Sequence, residues 1–250
     1  MHPILFSIKG INFYSYGLMA SLAFFVFSLI FIAIAKREKL YFKTLFDWLI
    51  YLFIFALFGA RLLYFIVYHN QFENWYEFFY IWNGGMISFG GIIAVIIGAL
   101  IAFKKNKLKW LDIFAVSFLA GLFFWRMGCF LAGDHPQVLY NGIIALNGEF
   151  PAILLESLSG LVGFVFFYWF YNKIKKLAGL TFFMVLIYYG LARFILDNYR
   201  LDPEMWGLKT GQITGIGLVI IGLIGIIFLS LNGIKKMKAK RSGNGKKHIR

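Results

Sequence analysis

Seven apolar runs, at about 13–35, 46–68, 85–103, 111–132, 151–171, 178–198 and 212–231, dominate this chain. A helix that crosses a bilayer needs about 20 mostly apolar residues, because hydrocarbon offers no partner to an unpaired backbone N–H or C=O. Each run is about that long. Of the 250 residues, 61% are hydrophobic and only 14% charged, against roughly 45–50% and 25% in soluble domains. A disordered chain is excluded, and so few charges disfavour a soluble globular protein. The expected fold is all-α: a polytopic membrane protein of about seven transmembrane helices. Glycine recurs inside the runs, as from Gly211 to Gly225, where it lets membrane helices approach closely. The N-terminus has no basic n-region, and no small-residue cleavage site follows the first run, so that run is expected to remain as a span. The single cysteine, Cys129, rules out an intramolecular disulfide framework. Residues 1–233 are expected to form one integral domain with short outer loops. Residues 234–250 form a basic tail, and Lys235 to Arg250 is the one segment expected to be disordered.

The net charge of +14 would suggest a nucleic-acid partner in a soluble protein. Its placement assigns it elsewhere, and no nucleic-acid partner is expected. If every run crosses, nineteen Lys and Arg fall on one side: after runs 1, 3 and 5, and in the tail. Only Lys9, Arg200 and Lys209 fall on the other, and the loops at about 69–84 and 133–150 carry none. The positive-inside rule then puts the N-terminus outside and the C-terminus in the cytoplasm. An affinity of the basic face for anionic inner-leaflet lipid follows as well. The aromatic segment Asn74 to Trp82 is expected to lie at the outer interface.

Three arginines, Arg61, Arg126 and Arg193, remain inside runs, where a charge is costly and by default functional. With the predicted orientation, each sits in the outer part of its span. Asp134 follows the outer end of span 4, and Glu156 lies one turn into span 5. Asp197 is four residues after Arg193, on the same helical face, with Arg200 a turn further on. Tyr16 and Ser88 are also near outer ends. Helix-end ion pairs that snorkel explain any one of these pairs. Their shared level points instead to a polar cavity opening toward the outer leaflet. Arginine's planar fork suits a phosphate, and a phospholipid headgroup is the anion at that depth. Gly84, Gly85, Gly90 and Gly91 flank this level and offer backbone N–H groups to an anion; close helix packing is the simpler explanation of a bare Gly-Gly pair.

At Trp125 to Asp134 the sequence W-R-M-G-C-F-L-A-G-D resembles the signature G-R-x-G-N-F-x-N-G-E of the bacterial prolipoprotein diacylglyceryl transferases. Further landmarks resemble that family in order. Tyr14 to Met19 is similar to W-Y-G-L-M, Gly59 to Tyr64 to G-A-R-x-x-Y, and Gly84 to Gly91 to G-G-M-S-F-H-G-G. Pro151 to Glu156 is similar to P-x-Q-L-Y-E, Arg193 to Arg200 to R-x-x-x-E-x-x-R, and Gly211 to Ile213 to G-Q-I. The resemblance covers about residues 14–213. It implies an enzyme of the bacterial inner membrane that uses no metal or organic cofactor. Such an enzyme moves the diacylglyceryl group of phosphatidylglycerol to the lipobox cysteine thiol of a lipoprotein precursor, and glycerol-1-phosphate leaves. The implied catalytic residues are Asp134, His135, Arg126, Tyr16, Arg193 and Asp197. The implied substrate-binding residues are Arg61, Gly84, Gly85, Ser88, Gly90, Gly91, Gly128, Gly133, Glu156 and Arg200. Arginines would stabilise the charge growing on the phosphate, and a base would take the thiol proton.

Departures from the signature fall at the chemistry. Phe89 stands at the family's histidine, Cys129 and Ala132 replace asparagines, and Asp134 and Asp197 replace glutamates. Ile153 and Leu155 replace the polar residues before Glu156. The base is then sought among His135, Asp134 and Glu156, with the Asp134/His135 corner preferred. Cys129 reads as a small apolar filler, since a thioether formed on it would be a poor leaving group. The competing reading is a non-catalytic or altered-specificity relative that binds phospholipid headgroups. A channel is disfavoured because the charges form no continuous path and the inner half-spans are apolar.

Overall fold

The computed structural model describes the chain except residues 1–3, 9–10, 41, 70–71, 73, 81–87, 104, 134–136, 147, 175–176, 202–203, 206 and 246–250. Among the described residues seven long helices form: α1 (Ser15–Arg37), α2 (Leu45–Val67), α3 (Ser88–Ala102), α4 (Lys107–Ala132), α5 (Ala152–Lys173), α6 (Leu180–Leu196) and α7 (Thr210–Gly245). Each overlaps one predicted run. Six are long and apolar enough to cross a membrane, α6 when taken with the turn that follows it (Leu180–Tyr199); α3, with 15 residues, is the exception. Two antiparallel hairpins, β1 (Ile4–Ile8) with β2 (Ile11–Tyr14) and β3 (Glu204–Met205) with β4 (Leu208–Lys209), decorate the helical fold. They have too few residues to show a two-residue period and carry no sequence signal. The basic segment from Lys235 continues α7 to Gly245 where disorder is expected. Its lysines, arginine, alanine and methionine are all good helix formers.

The chain divides into two compact units. The first comprises residues 1–31 and 111–250. Here α4 is the most enclosed helix, with 56% of its most apolar stretch buried against 22% for α6 and α7. Large apolar side chains such as Val162, Val165, Ile195 and Ile224 remain exposed on the other helices, as lipid-facing surfaces require. Close packing uses small residues. A Cβ at Gly190 of α6 would lie 2.6 Å from the Gly215 carbonyl of α7, and one at Gly215 would lie 2.6 Å from the Gly190 carbonyl. Gly160 of α5 lets that helix approach the α4 backbone at Leu119 and Phe123, and Ser157 donates to the Phe123 carbonyl at 2.7 Å. Asp112, buried in the first turns of α4, accepts from the backbone N–H groups of Gly179 (2.6 Å) and Phe182 (2.8 Å). It thereby caps α6, whose preceding residue Gly179 has φ 92° and brings no side-chain cap of its own.

The second unit, residues 32–110, holds α2 packed on α3. Gly59 and Gly90 meet at their crossing, and a Cβ on Gly90 would overlap the Gly59 carbonyl. Gly91 faces the Ala56 carbonyl in the same way. Close packing therefore accounts for this glycine pair. A 3-10 turn, Trp75–Phe79, follows α2 within the predicted aromatic segment.

Asp112 is the clearest stability determinant outside the charged cluster. Asp112→Ala leaves the N–H groups of Gly179 and Phe182 without their acceptor and is expected to cost about 2 kcal/mol. Asp112→Asn, which keeps an acceptor, should cost less. Thermal unfolding of the purified variants in one detergent checks both.

Candidate active site

Side chains from α4, α5, α6 and the turn after α6 converge on one carboxylate in the first unit. Glu156, one turn into α5, is 1% exposed. Its Oε1 lies 3.0 Å from Arg126 Nε of α4 and accepts from the Tyr189 hydroxyl of α6 at 2.9 Å. Its Oε2 accepts from Arg193 Nη1 at 3.0 Å and lies 3.9 Å from Arg200 Nη1. Arg126 Nη2 also donates to the Tyr189 hydroxyl at 3.4 Å. One carboxylate thus orders three guanidinium groups. Both its oxygens are already held, so Glu156 is badly placed to collect a proton.

Asp197 forms a layer behind this one. It opens a 3-10 turn, Asp197–Tyr199, and its Oδ1 lies 3.6 Å from Arg200 Nη1 and 3.8 Å from Arg193 Nη2. The expected Arg193–Asp197 pair therefore forms, but Arg193 lies closer to Glu156. The Asp197 carboxylate abuts Gly211 in the first turn of α7, and a Cβ there would overlap it. A helix N-terminus favours such a negative charge. That contact gives a physical reason for glycine in the Gly211-Gln212-Ile213 motif. Gln212 donates to Asn198 Oδ1 at 3.0 Å and accepts from the Lys209 backbone N–H at 2.9 Å. Lys209 Nζ donates to the carbonyls of Asn198 and Arg200. The turn that carries Arg200 is thereby tied to the start of α7.

Residues 137–150 are pinned to the same turn. The Val138 N–H donates to the Tyr199 carbonyl at 3.1 Å, Gln137 bridges to Arg200, and Phe150 stacks on Tyr199 with centroids 3.8 Å apart. Buried Gln137 accepts from the Ile153 N–H at 3.2 Å, joining this loop to the start of α5. Sequence reasoning missed Gln137 and Tyr189. Tyr189 had a signal: it precedes Arg193 by four residues and shares its helical face.

Accessibility divides the cluster. The side chains of Arg126 and Arg193 are each 14% exposed, whereas those of Arg200 and Asp197 are 2% and 0% exposed. Three arginines meet two carboxylates, so the described cluster carries one positive charge in excess. Each buried ion costs several kcal/mol of desolvation, which the pairing offsets only with good geometry. An added anion would balance the cluster, and the two accessible guanidinium groups are the ones that can reach it.

The other predicted site residues fall differently. Tyr16 of α1 packs edge-on to Trp125 at 5.6 Å, and Gly128 lets α4 approach Met19 and Tyr16. Gly133, with φ 75°, ends α4, and its N–H donates to the Cys129 carbonyl at 3.1 Å. Cys129 itself is buried. In the second unit, Arg61 is buried and donates to the carbonyls of Glu77 (2.8 Å), Phe78 (2.9 Å) and Tyr80 (3.2 Å). It also lies over the rings of Phe72 and Tyr64 at 5.4 and 5.7 Å. That guanidinium fastens the aromatic segment. Ser88 is the first residue of α3. Gly84, Gly85, Asp134 and His135 lie outside the described residues.

Comparison with known proteins points to the same family. A phosphatidylglycerol–prolipoprotein diacylglyceryl transferase of Finegoldia magna is 30% identical over 90% of this chain and 94% of its own length. A protein of the same name from Campylobacter hominis is 31% identical over 94% of each chain. One from Clostridium perfringens is 26% identical over 95% of this chain and 98% of its own. The family profile described as prolipoprotein diacylglyceryl transferase matches residues 3–228, a range that contains every member of the charged cluster. With its helices, motifs and buried arginines in the matched range, the chain belongs to the prolipoprotein diacylglyceryl transferase family.

Proposed function

We propose that this protein transfers the diacylglyceryl group of phosphatidylglycerol to the lipobox cysteine of a lipoprotein precursor, at the outer leaflet of a bacterial cytoplasmic membrane. The observation that carries this reading is the excess positive charge around Glu156, with Arg126 and Arg193 partly accessible. In the reaction, the cysteine sulfur attacks the glyceryl carbon that bears the phosphate ester. The C–S bond forms and the C–O bond breaks. The bonding pair leaves on glycerol-1-phosphate, whose phosphate gains negative charge. Donors already aimed at the place where that charge grows stabilise the transition state without reorganising.

Arg126 and Arg193 take this role. Glu156, Asp197 and Arg200 are positioning residues: they hold the two accessible guanidinium groups and set the net charge. The Tyr189 hydroxyl, bridging Arg126 and Glu156, belongs to the same scaffold. Tyr16, on the helix that packs against Gly128, borders the site from α1. Arg61 positions the segment around Trp75–Phe79 in the second unit. For the thiol proton we assign the corner Asp134/His135, directly after the glycine that ends α4. The distribution of Lys and Arg supports an N-terminus outside and a C-terminus in the cytoplasm. Phe89 at the family's histidine favours the second reading, a phospholipid-binding relative without transferase activity.

One assay separates the two. Purified protein is incubated with phosphatidylglycerol and a lipobox peptide, and the diacylglyceryl thioether is followed by mass spectrometry. The wild-type chain should form it. Arg126→Ala should lower the rate by roughly 100-fold or more, as loss of a transition-state donor does, while Arg126→Lys recovers only part because it cannot reproduce the fork. No thioether from wild-type protein would leave the binding reading in its place.

The base is tested separately. Asp134→Asn and His135→Ala should each lose transferase activity, by about 100-fold or more if they move the proton, with membrane insertion unchanged. A fully active Asp134→Asn variant would rule out Asp134 as the base.

A further inference from the structure

A cavity of about 250 Å³ lies in the second unit, between the turn joining α1 to α2 and the turn joining α3 to α4. It is lined by Lys39, Leu40, Phe42, Ala102, Phe103, Lys105, Asn106 and Trp110, none of which belongs to the charged cluster around Glu156. Three aromatic rings form its floor. Phe103 stacks on Trp110 at 4.5 Å, and Phe42 meets Trp110 edge-on at 6.1 Å. Phe103 and Trp110 are buried, whereas Lys39, Lys105 and Asn106 are exposed. The cavity therefore has an apolar base and a cationic rim.

Two further facts point to a ligand. Among the described residues, Lys39 and Asn106 are the only non-glycine residues with positive φ, each 56°, and both line this cavity. Lys39 ends α1 with the bond from the Leu40 N–H to the Ala35 carbonyl (2.9 Å), a cap that favours glycine or asparagine. The cap explains the backbone, but not a lysine held in that conformation. Backbone strain of this kind gathers at functional sites. Moreover, neither the Lys39 nor the Lys105 ammonium has a hydrogen-bond or ion-pair partner among the described residues. Glu38, the acid beside Lys39, is in reach of Arg37 at 3.9 Å. The rim offers two uncommitted cations, an amide and no carboxylate.

We propose that this cavity binds the phosphate of an anionic phospholipid headgroup from the leaflet on the lysine-rich side of the protein. Lys39 and Lys105 hold the phosphate oxygens, Asn106 hydrogen-bonds the headgroup, and the aromatic floor packs against its glycerol portion. Basic pockets beside spanning helices recognise lipid headgroups by this combination of charge and depth. The lipid is a structural ligand that clamps the two turns, and it is not consumed.

Phosphatidylserine serves as the probe because it is anionic and is not the lipid named for the transferases. The full chain in detergent is titrated with phosphatidylserine or phosphatidylcholine, and retained lipid is counted by native mass spectrometry. One phosphatidylserine should be held where phosphatidylcholine is not. The double variant Lys39→Asn, Lys105→Gln should weaken that retention about 30-fold, the effect of two lost surface cations. Asparagine tolerates the left-handed conformation, and an unfolding midpoint in lipid-free detergent equal to wild type verifies the fold. Changing Lys236 and Lys238 of the tail to Gln should leave retention unaltered. Equal retention by the double variant would overturn the proposal. Displacement of the lipid by inorganic phosphate at matching concentration would overturn the headgroup assignment in favour of free phosphate. Diacylglyceryl transfer by the double variant should stay at the wild-type rate, so the transfer assay and the retention assay fail independently.

Discussion

Burying an arginine inside a helix bundle is tolerable only if something there holds the charge, and in this protein Glu156 does so for three of them. Ion pairs of 3.0 Å fix Arg126 and Arg193 from different helices, and Tyr189 completes the shell of Oε1. At 3–4 Å each such contact is worth about 4 kcal/mol with an effective dielectric of 20, while desolvation takes back several kcal/mol per ion. The net is small, so the cluster is better understood as a means of placing donors than as a source of stability. The rest of the first unit serves that placement. Gly160 and Ser157 bring α5 against α4, Gly190 and Gly215 close α6 on α7, and Gly211 makes room for Asp197.

The cluster also joins fold to chemistry. Its excess of one positive charge is a cost in the absence of an anion and an attraction in its presence. Only Arg126 and Arg193 present accessible edges; Arg200 and Asp197 stay behind them. In the proposed reaction a phosphodiester becomes a phosphate monoester, and the charge it gains would fall at those edges. The same donors can then bind the substrate moderately and the transition state more strongly, which is the requirement for rate acceleration.

Much of this was legible in the sequence. The length of the apolar runs placed all seven helices within a few residues, apart from the far end of α7, and intramembrane charge singled out Arg126 and Arg193 as well as the Asp197 that pairs with Arg193. The role of Glu156 as the common partner was not legible. Which side chains meet depends on how each helix is rotated about its axis, and helices apolar on nearly every face give no phase to read. From the sequence Arg200 counts as an outer-side cation and a substrate-binding residue; in the fold it is buried and its backbone pairs with Gln137, a pairing that no motif announces. Nor could the sequence reveal that the carbonyls of Glu77, Phe78 and Tyr80, sixteen to nineteen residues away, turn toward Arg61. Gly90 and Gly91 pack against α2, as the simpler of the two expectations has it.

Glu156→Gln tests the central claim most directly. It keeps the shape and one hydrogen-bond acceptor but removes the charge that holds the arginines. Breaking a buried pair in this way costs about 3–5 kcal/mol. The unfolding midpoint should fall, and kcat/KM for phosphatidylglycerol should drop while the protein still inserts. A Glu156→Gln protein with wild-type stability and wild-type kcat/KM would contradict the account.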